Sequence, residues 1–145
     1  DVNVNGSFHF IKACLPHMLK EKRGTICLIS SMAGLKGYSH SAAYTASKHA
    51  LVGLAKSLAV EHGKNSIVSV AICPGFVESE MTMRSIESLA VRRKCTEAEA
   101  RERIARVSPQ RRIMPPEEVA EMVAFVCSGK VPSLSGSPIV LGGGE

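Results

Sequence analysis

Two short β-branched runs with one long helical stretch between them constrain this chain more than any other feature. Thr25-Ile26-Cys27-Leu28-Ile29-Ser30 follows a glycine, and Ser66-Ile67-Val68-Ser69-Val70-Ala71-Ile72-Cys73 lies between Gly63-Lys64-Asn65 and Pro74-Gly75. Runs of this length with turn residues at their ends read as strands, the first buried on both faces. Between them, residues 42–62 are rich in Ala, Leu and Lys. Leu51, Leu54 and Leu58 make one apolar stripe and Val52, Ala55 and Ala59 another, which predicts a helix covered on two sides, by the sheet and by a partner helix. Strand, helix, strand is a βαβ unit, whose strands lie parallel and whose crossover is right-handed.

The flanking segments extend this pattern. Phe8, Ile11, Leu15, Met18 and Leu19 recur at helical spacing, and Lys20-Glu21-Lys22-Arg23-Gly24 supplies cations and a glycine where that helix ends. Residues 79–107 are helical but polar, with a capping box at Thr96-x-x-Glu99, and read as a surface flap over about residues 79–114. Pro115-Pro116-Glu117-Glu118 opens another helix, and residues 137–141 form a third strand before Gly142-Gly143-Gly144 makes a tight end. No repeat or linker divides residues 1–145, so they are expected to lie in one domain.

Charge and cysteine usage narrow the function. Residues 84–112 hold nine basic against four acidic side chains, which accounts for the whole formal charge of +5. With the rest of the chain balanced and aromatic residues scarce, nucleic-acid binding is a poor account of the charge. The ordinary reading of the basic segment is solvated helix faces with pairs such as Glu97 with Arg101 and Glu99 with Arg103. The functional alternative is a basic lip for a phosphate-bearing acyl carrier. Five scattered cysteines, no Cys/His cluster with metal spacing, no long apolar run and no signal-peptide pattern predict a cytoplasmic protein without a metal and without a membrane span. Cys95, beside Arg92-Arg93-Lys94, has an electropositive setting but no general base placed near it.

One constellation carries chemistry: Ser31, then Tyr44-Thr45-Ala46-Ser47-Lys48. Residues four apart share a helix face, so the Lys48 ammonium stands one turn from the Tyr44 phenol. A free phenol titrates near pH 10, roughly three units above neutrality, and a neighbouring cation favours its ionised form. Tyr-x-x-x-Lys alone is common on solvated helices. Here it opens a helix reached by a loop from the end of a buried strand, which is where open α/β sheets bind ligands.

Four stretches in order, Val2-Asn3-Val4-Asn5-Gly6-Ser7-Phe8, Ile29-Ser30-Ser31-Met32-Ala33-Gly34, Tyr44-Thr45-Ala46-Ser47-Lys48 and Pro74-Gly75-Phe76-Val77, resemble the short-chain dehydrogenase/reductase family, beginning in the middle of its fold. The resemblance implies an incomplete Rossmann-type doubly wound parallel sheet. It also implies an NAD(P)-dependent oxidoreductase interconverting a hydroxyl and a carbonyl. The family's spacing of thirteen residues from serine to tyrosine selects Ser31 over Ser30, and Tyr38 fails the motif because Ala42 stands four residues on.

By the same resemblance, Tyr44 is the general acid/base, Ser31 a hydrogen-bond donor to the substrate oxygen, and Lys48 the holder of the nicotinamide ribose. Asn3 orients a water that passes protons to Lys48. Pro74, Gly75 and Val77 line the nicotinamide, with Ser79 where the family often has threonine. No Gly-x-x-x-Gly-x-Gly turn occurs, so these residues supply the nicotinamide half of a site for NAD or NADP. The segment containing Pro-Gln-Arg and Pro-Glu-Glu-Val resembles members acting on 3-oxoacyl or 3-hydroxyacyl groups, which implies a small alcohol, ketone or acyl thioester substrate. Family members pair through two long helices, here 7–19 and 42–62, which implies a homo-oligomer. With the family's first strands outside these residues, the sheet is expected to expose an edge, and the chain alone to self-associate or need a partner. A non-catalytic remnant or assembly module is the alternative reading.

Overall fold

The computed structural model describes residues Val2–Glu145. Strands β1 (Gly24–Ile29), β2 (Ile67–Pro74) and β3 (Pro138–Leu141) form one sheet in that order, with both pairings parallel. Helices α1 (Ser7–Glu21) and α2 (Ala42–His62) cover one face, and α5 (Pro116–Cys127) covers the other. Helices α3 (Glu80–Arg93) and α4 (Glu97–Ala105) extend beyond the C-terminal end of β2. This is the α/β, doubly wound parallel arrangement that the βαβ pattern requires.

Alternation along β2 explains the two cores. Ile67, Ala71 and Cys73 face α1 and α2 with Ile26, Leu28, Leu51, Val52, Ala55 and Leu58, whereas Val70 and Ile72 face α5 and Val126. β2 is buried at every residue but the partly covered Val68 because it is the middle strand. β1 departs from the expected two-sided burial: only Ile26 and Leu28 are fully covered, and Ile29 is 45% exposed. Its outer edge pairs with no strand among the described residues, and a groove of about 490 Å³ runs along it between β1 and α1.

α2 also departs from its expected two-sided cover. Leu51, Val52, Ala55 and Leu58 form one buried face against the sheet, while the opposite side, including Val60 at 87% exposure, meets solvent in the single chain. The two sequence stripes lie side by side on the helix and merge into one face. Phe8 and Phe10 of α1 are likewise exposed.

The polar pattern of α3 and α4 hides a small core of their own. Ile86, Ala90, Ala100, Ile104 and Ile113 pack together, with Phe76, Leu89 and Cys95 against them. Cys95 is thus a packing residue. The Thr96–Glu99 capping box forms: the Glu99 amide donates to Thr96 Oγ1 at 3.2 Å, and the Thr96 amide donates to the Glu99 carboxylate at 2.8 Å. The ion pairs differ from those expected. Arg101 reaches Glu78 rather than Glu97, Glu99 serves the cap, and Arg106 pairs with Glu102 and Arg84 with Glu80.

The arm is fastened to the sheet at two places. A β-bridge joins Val77 to Met114, and the Ser108 hydroxyl donates to the Gly143 carbonyl at 3.3 Å. The second contact requires glycine. Gly143 has φ +60°, and a Cβ there would stand 2.4 Å from Ser108 Oγ. No described helix is long and apolar enough to cross a membrane, and no group of three or more His, Cys, Asp or Glu among the described residues could hold a metal.

Candidate active site

The C-terminal ends of β1 and β2 open into a cavity of about 450 Å³, the place in a parallel sheet where chain direction and loop space converge. Ser31, immediately beyond β1, caps the short 3₁₀ turn Met32–Gly34: its Oγ accepts from the Ala33 amide at 3.1 Å, which leaves the hydroxyl proton free to donate. Ser30, by contrast, is buried, and its hydroxyl donates to the Lys48 carbonyl at 2.8 Å. The two adjacent serines therefore divide the work, Ser30 holding the loop to α2 and Ser31 lining the cavity.

Tyr44 lies in the first turns of α2, 37% exposed, on the cavity wall. Lys48 Nζ stands 5.6 Å from the Tyr44 ring centroid and donates to the Ile29 carbonyl at 2.9 Å. That carbonyl is available because the Ser30 amide of the same peptide turns toward β2, donating to the Ile72 carbonyl, which points the Ile29 oxygen to the edge of β1 that pairs with no described strand. One of three ammonium protons is spent on the strand, leaving two. Burial pulls the Lys48 ammonium below its ordinary value, with the nearby Cys73 thiol acting weakly in the other direction.

Asn3 lies in a π-helical turn, Val2–Gly6, ahead of α1, and its amide donates to Ser47 Oγ at 3.1 Å. Ser47 in turn donates to the Tyr44 carbonyl at 2.8 Å. Asn3 is thereby tied to the Tyr44–Lys48 turn of α2.

The residues after β2 split between the cavity and the arm. Pro74 ends β2, and Gly75 lines the cavity while its amide donates to the Leu141 carbonyl at 2.9 Å. Val77 bridges Met114, and its carbonyl accepts the Thr82 hydroxyl at 2.6 Å. Ser79 caps α3, accepting from the Thr82 amide at 3.3 Å.

The remaining wall holds Phe76, Arg92 and Tyr38, and with them Met81, Ser85, Leu89, Ile104 and Glu145, which belong to no motif in the sequence. A signal for part of it existed. Met81, Ser85, Leu89 and Arg92 recur at spacings of four, four and three, so they share one face of α3. Tyr38 and Glu145 are brought together only by the fold. The Glu145 carboxylate, nearly buried, accepts the Tyr38 hydroxyl and pairs with Lys36 Nζ at 2.9 Å. Burial and that carboxylate push the Tyr38 phenol above its ordinary range.

Fold and site together define a Rossmann-type α/β protein with its polar side chains at the strand ends. A family model described as enoyl-(acyl carrier protein) reductase matches residues 1–145, and the chain belongs to the short-chain dehydrogenase/reductase family. Among curated relatives, the oxidoreductase UcpA of Salmonella typhimurium is 39% identical over 147 residues, covering 100% of this chain and 54% of the relative. The 2-(R)-hydroxypropyl-CoM dehydrogenase of Xanthobacter autotrophicus is 34% identical over 142 residues, covering 98% and 53%. Among solved structures, an actinorhodin polyketide ketoreductase variant with NADPH superposes with a TM-score of 0.93 at 35% identity, covering 98% of this chain and 55% of that one. The chain thus spans about half the length of the relatives it matches.

Proposed function

We propose that this chain carries the nicotinamide half of an NAD(P)-dependent oxidoreductase site that interconverts a hydroxyl and a carbonyl. The observation that carries the reading is Lys48: half-buried, anchored on the Ile29 carbonyl, with two protons to spare beside the ring of Tyr44, which shares the cavity wall with Ser31. Those two donors fit a pair of ribose hydroxyls. The bound nicotinamide would give or take the hydride.

In the reducing direction Tyr44 donates its phenolic proton to the carbonyl oxygen, and in the oxidising direction its phenolate removes the hydroxyl proton. Ser31 donates a hydrogen bond to the same oxygen, where negative charge develops. The Lys48 ammonium, beside the Tyr44 ring, would offset the negative charge that develops on the phenol oxygen during proton transfer. Asn3 steadies the Tyr44–Lys48 turn through Ser47 and is the proposed orienter of a water leading to Lys48. Pro74, Gly75, Val77 and Ser79 form the proposed nicotinamide edge, and α3 with α4 the substrate flap.

The apolar wall of Phe76, Met81, Leu89 and Ile104, with Arg92 beside it, suits a 3-oxoacyl or 3-hydroxyacyl chain joined as a thioester to a phosphate-bearing carrier, the phosphate lying toward Arg92. NADPH with the ketoreductase and the dehydrogenase activity of the Xanthobacter relative support a nicotinamide-dependent carbonyl chemistry. The exposed faces of α1 and α2, with Phe8, Phe10 and Val60, support pairing of two copies there. Size-exclusion chromatography of the chain is expected to show self-association; a monomer with a sharp two-state melt would overturn that part.

The deciding experiment is titration with NADH and NADPH followed by cofactor fluorescence. Saturable binding abolished in Lys48→Ala is the expected result. Equal binding by both proteins, or by neither, would remove the nicotinamide site from this chain.

A further inference from the structure

We propose that Cys27 and Cys127 are a redox-active dithiol pair that closes into an intrachain disulfide joining β1 to the end of α5. The two residues are 100 positions apart in sequence, yet their Sγ atoms lie 3.9 Å apart. Cys27 sits inside β1 among the side chains packed against α5, and Cys127 is the last residue of α5. Closure brings the sulfurs to a bond of about 2 Å, a movement that side-chain rotation at an exposed helix end can supply.

The pair is asymmetric in the way a two-step oxidation needs. Cys127 is exposed and meets oxidants from solvent, whereas Cys27 is partly covered. Burial, and then the neighbouring Cys127 thiol, push the Cys27 thiol up to about 12, so at neutral pH it is protonated and the exposed Cys127 is the thiol that oxidants reach first.

With hydrogen peroxide, the Cys127 sulfur takes one oxygen to become a sulfenic acid, and one water leaves. The Cys27 sulfur then attacks that sulfur. Hydroxide departs with the Cys27 proton as a second water, and one S–S bond has formed from two thiols and one peroxide. With a small-molecule disulfide, Cys127 first forms a mixed disulfide and releases one thiol, and Cys27 displaces the second.

The joined strand ends two residues later at Ile29, whose carbonyl holds Lys48. The disulfide would therefore tie α5 to the strand that presents Lys48 and Ser31 from the opposite face of the sheet. The proposal does not depend on the proposed oxidoreductase activity.

The test uses the purified chain, treated with hydrogen peroxide or oxidised glutathione and then denatured for thiol titration and non-reducing peptide mapping. Two of the five thiols are expected to disappear, a monomer is expected to yield the 27–127 linked peptide, and the melting temperature is expected to rise and return with dithiothreitol. C27S should stall with Cys127 as a sulfenic acid or glutathione adduct. C127S, at an exposed position, should abolish the linked peptide and the melting shift, and carries the test if C27S does not fold. A stable Cys127 adduct beside an alkylatable Cys27 in the unsubstituted chain, a disulfide between two chains, or unchanged thiols would each overturn the proposal.

Discussion

The corner where β1, α2 and β2 meet and the α3–α4 arm hold their side chains by different means. At the corner, polar groups are fixed by backbone atoms of neighbouring elements: Lys48 by the Ile29 carbonyl, Ser30 by the Lys48 carbonyl, Ser31 by the Ala33 amide. In the arm, positions are set by a five-residue apolar cluster and by exposed pairs such as Arg106 with Glu102. Backbone anchors cannot move without the sheet, whereas the arm has its own interior and touches the sheet end at few points. The proposed chemistry would thus be mounted on the rigid part, and the proposed substrate contacts on the part that can be rebuilt independently.

The sharpest break of this comparison is at Tyr44. In whichever polypeptide shows turnover, Tyr44→Phe is expected to lower kcat by about 10² to 10⁴-fold, the range for loss of a positioned acid/base. Substitutions on the arm face, such as Met81→Ala, are expected to act mainly on KM. Lys48→Met should also abolish turnover and cofactor binding, but without lowering the melting temperature. Burial depresses the Lys48 ammonium, so the folded state binds this proton less tightly than the unfolded state. Stability therefore rises with pH through that window, and removing the charge removes its desolvation cost.

Paired core substitutions sharpen the contrast in stability. Ile72 and Ile86 are almost equally buried, at 0% and 1% exposure, and truncation to alanine is expected to cost about 2–5 kcal/mol at either site. Ile72→Ala should raise amide exchange throughout the sheet, whereas Ile86→Ala should raise it in α3 and α4 and spare β2. Equal exchange everywhere would show that the arm and sheet are one cooperative unit.

The smallest expected effect is in acid. Hydrogen bonds from Thr96 hold the Glu99 carboxyl, and Arg112 holds the Glu118 carboxyl, below the ordinary carboxylate range. Their contribution is present above the unfolded carboxylate value and is lost as pH falls through the depressed folded values. Both groups are fully exposed, so Glu118→Gln should shift an acid melt only slightly and less still in high salt.

The sheet and the corner were largely legible in the sequence because both depend on local order. β2 is a mostly apolar run because it is central, and α2 spans the stretch rich in Ala, Leu and Lys that predicts it. Ser31, Tyr44 and Lys48 are spaced by one loop and one helical turn. What was misjudged depended on what packs from far away. The two stripes of α2 could be told from one broad face only by knowing that, among the described residues, no second helix covers its outer side. Glu78 outcompetes Glu97 for Arg101 because the fold sets the start of α3 beside α4. Glu145 meets Tyr38 across 107 residues, a separation at which spacing carries no information.

That meeting gives the molecule an optical property. The chain has two tyrosines and no tryptophan, and both phenols, Tyr38 and Tyr44, stand on the wall of one cavity. Its tyrosine absorbance therefore comes from that cavity wall, with only weak phenylalanine absorbance from elsewhere in the chain. In an alkaline titration the Tyr38 component is held back by burial and by Glu145. Any ligand that enters the cavity is seen by the protein's own chromophores, without a label.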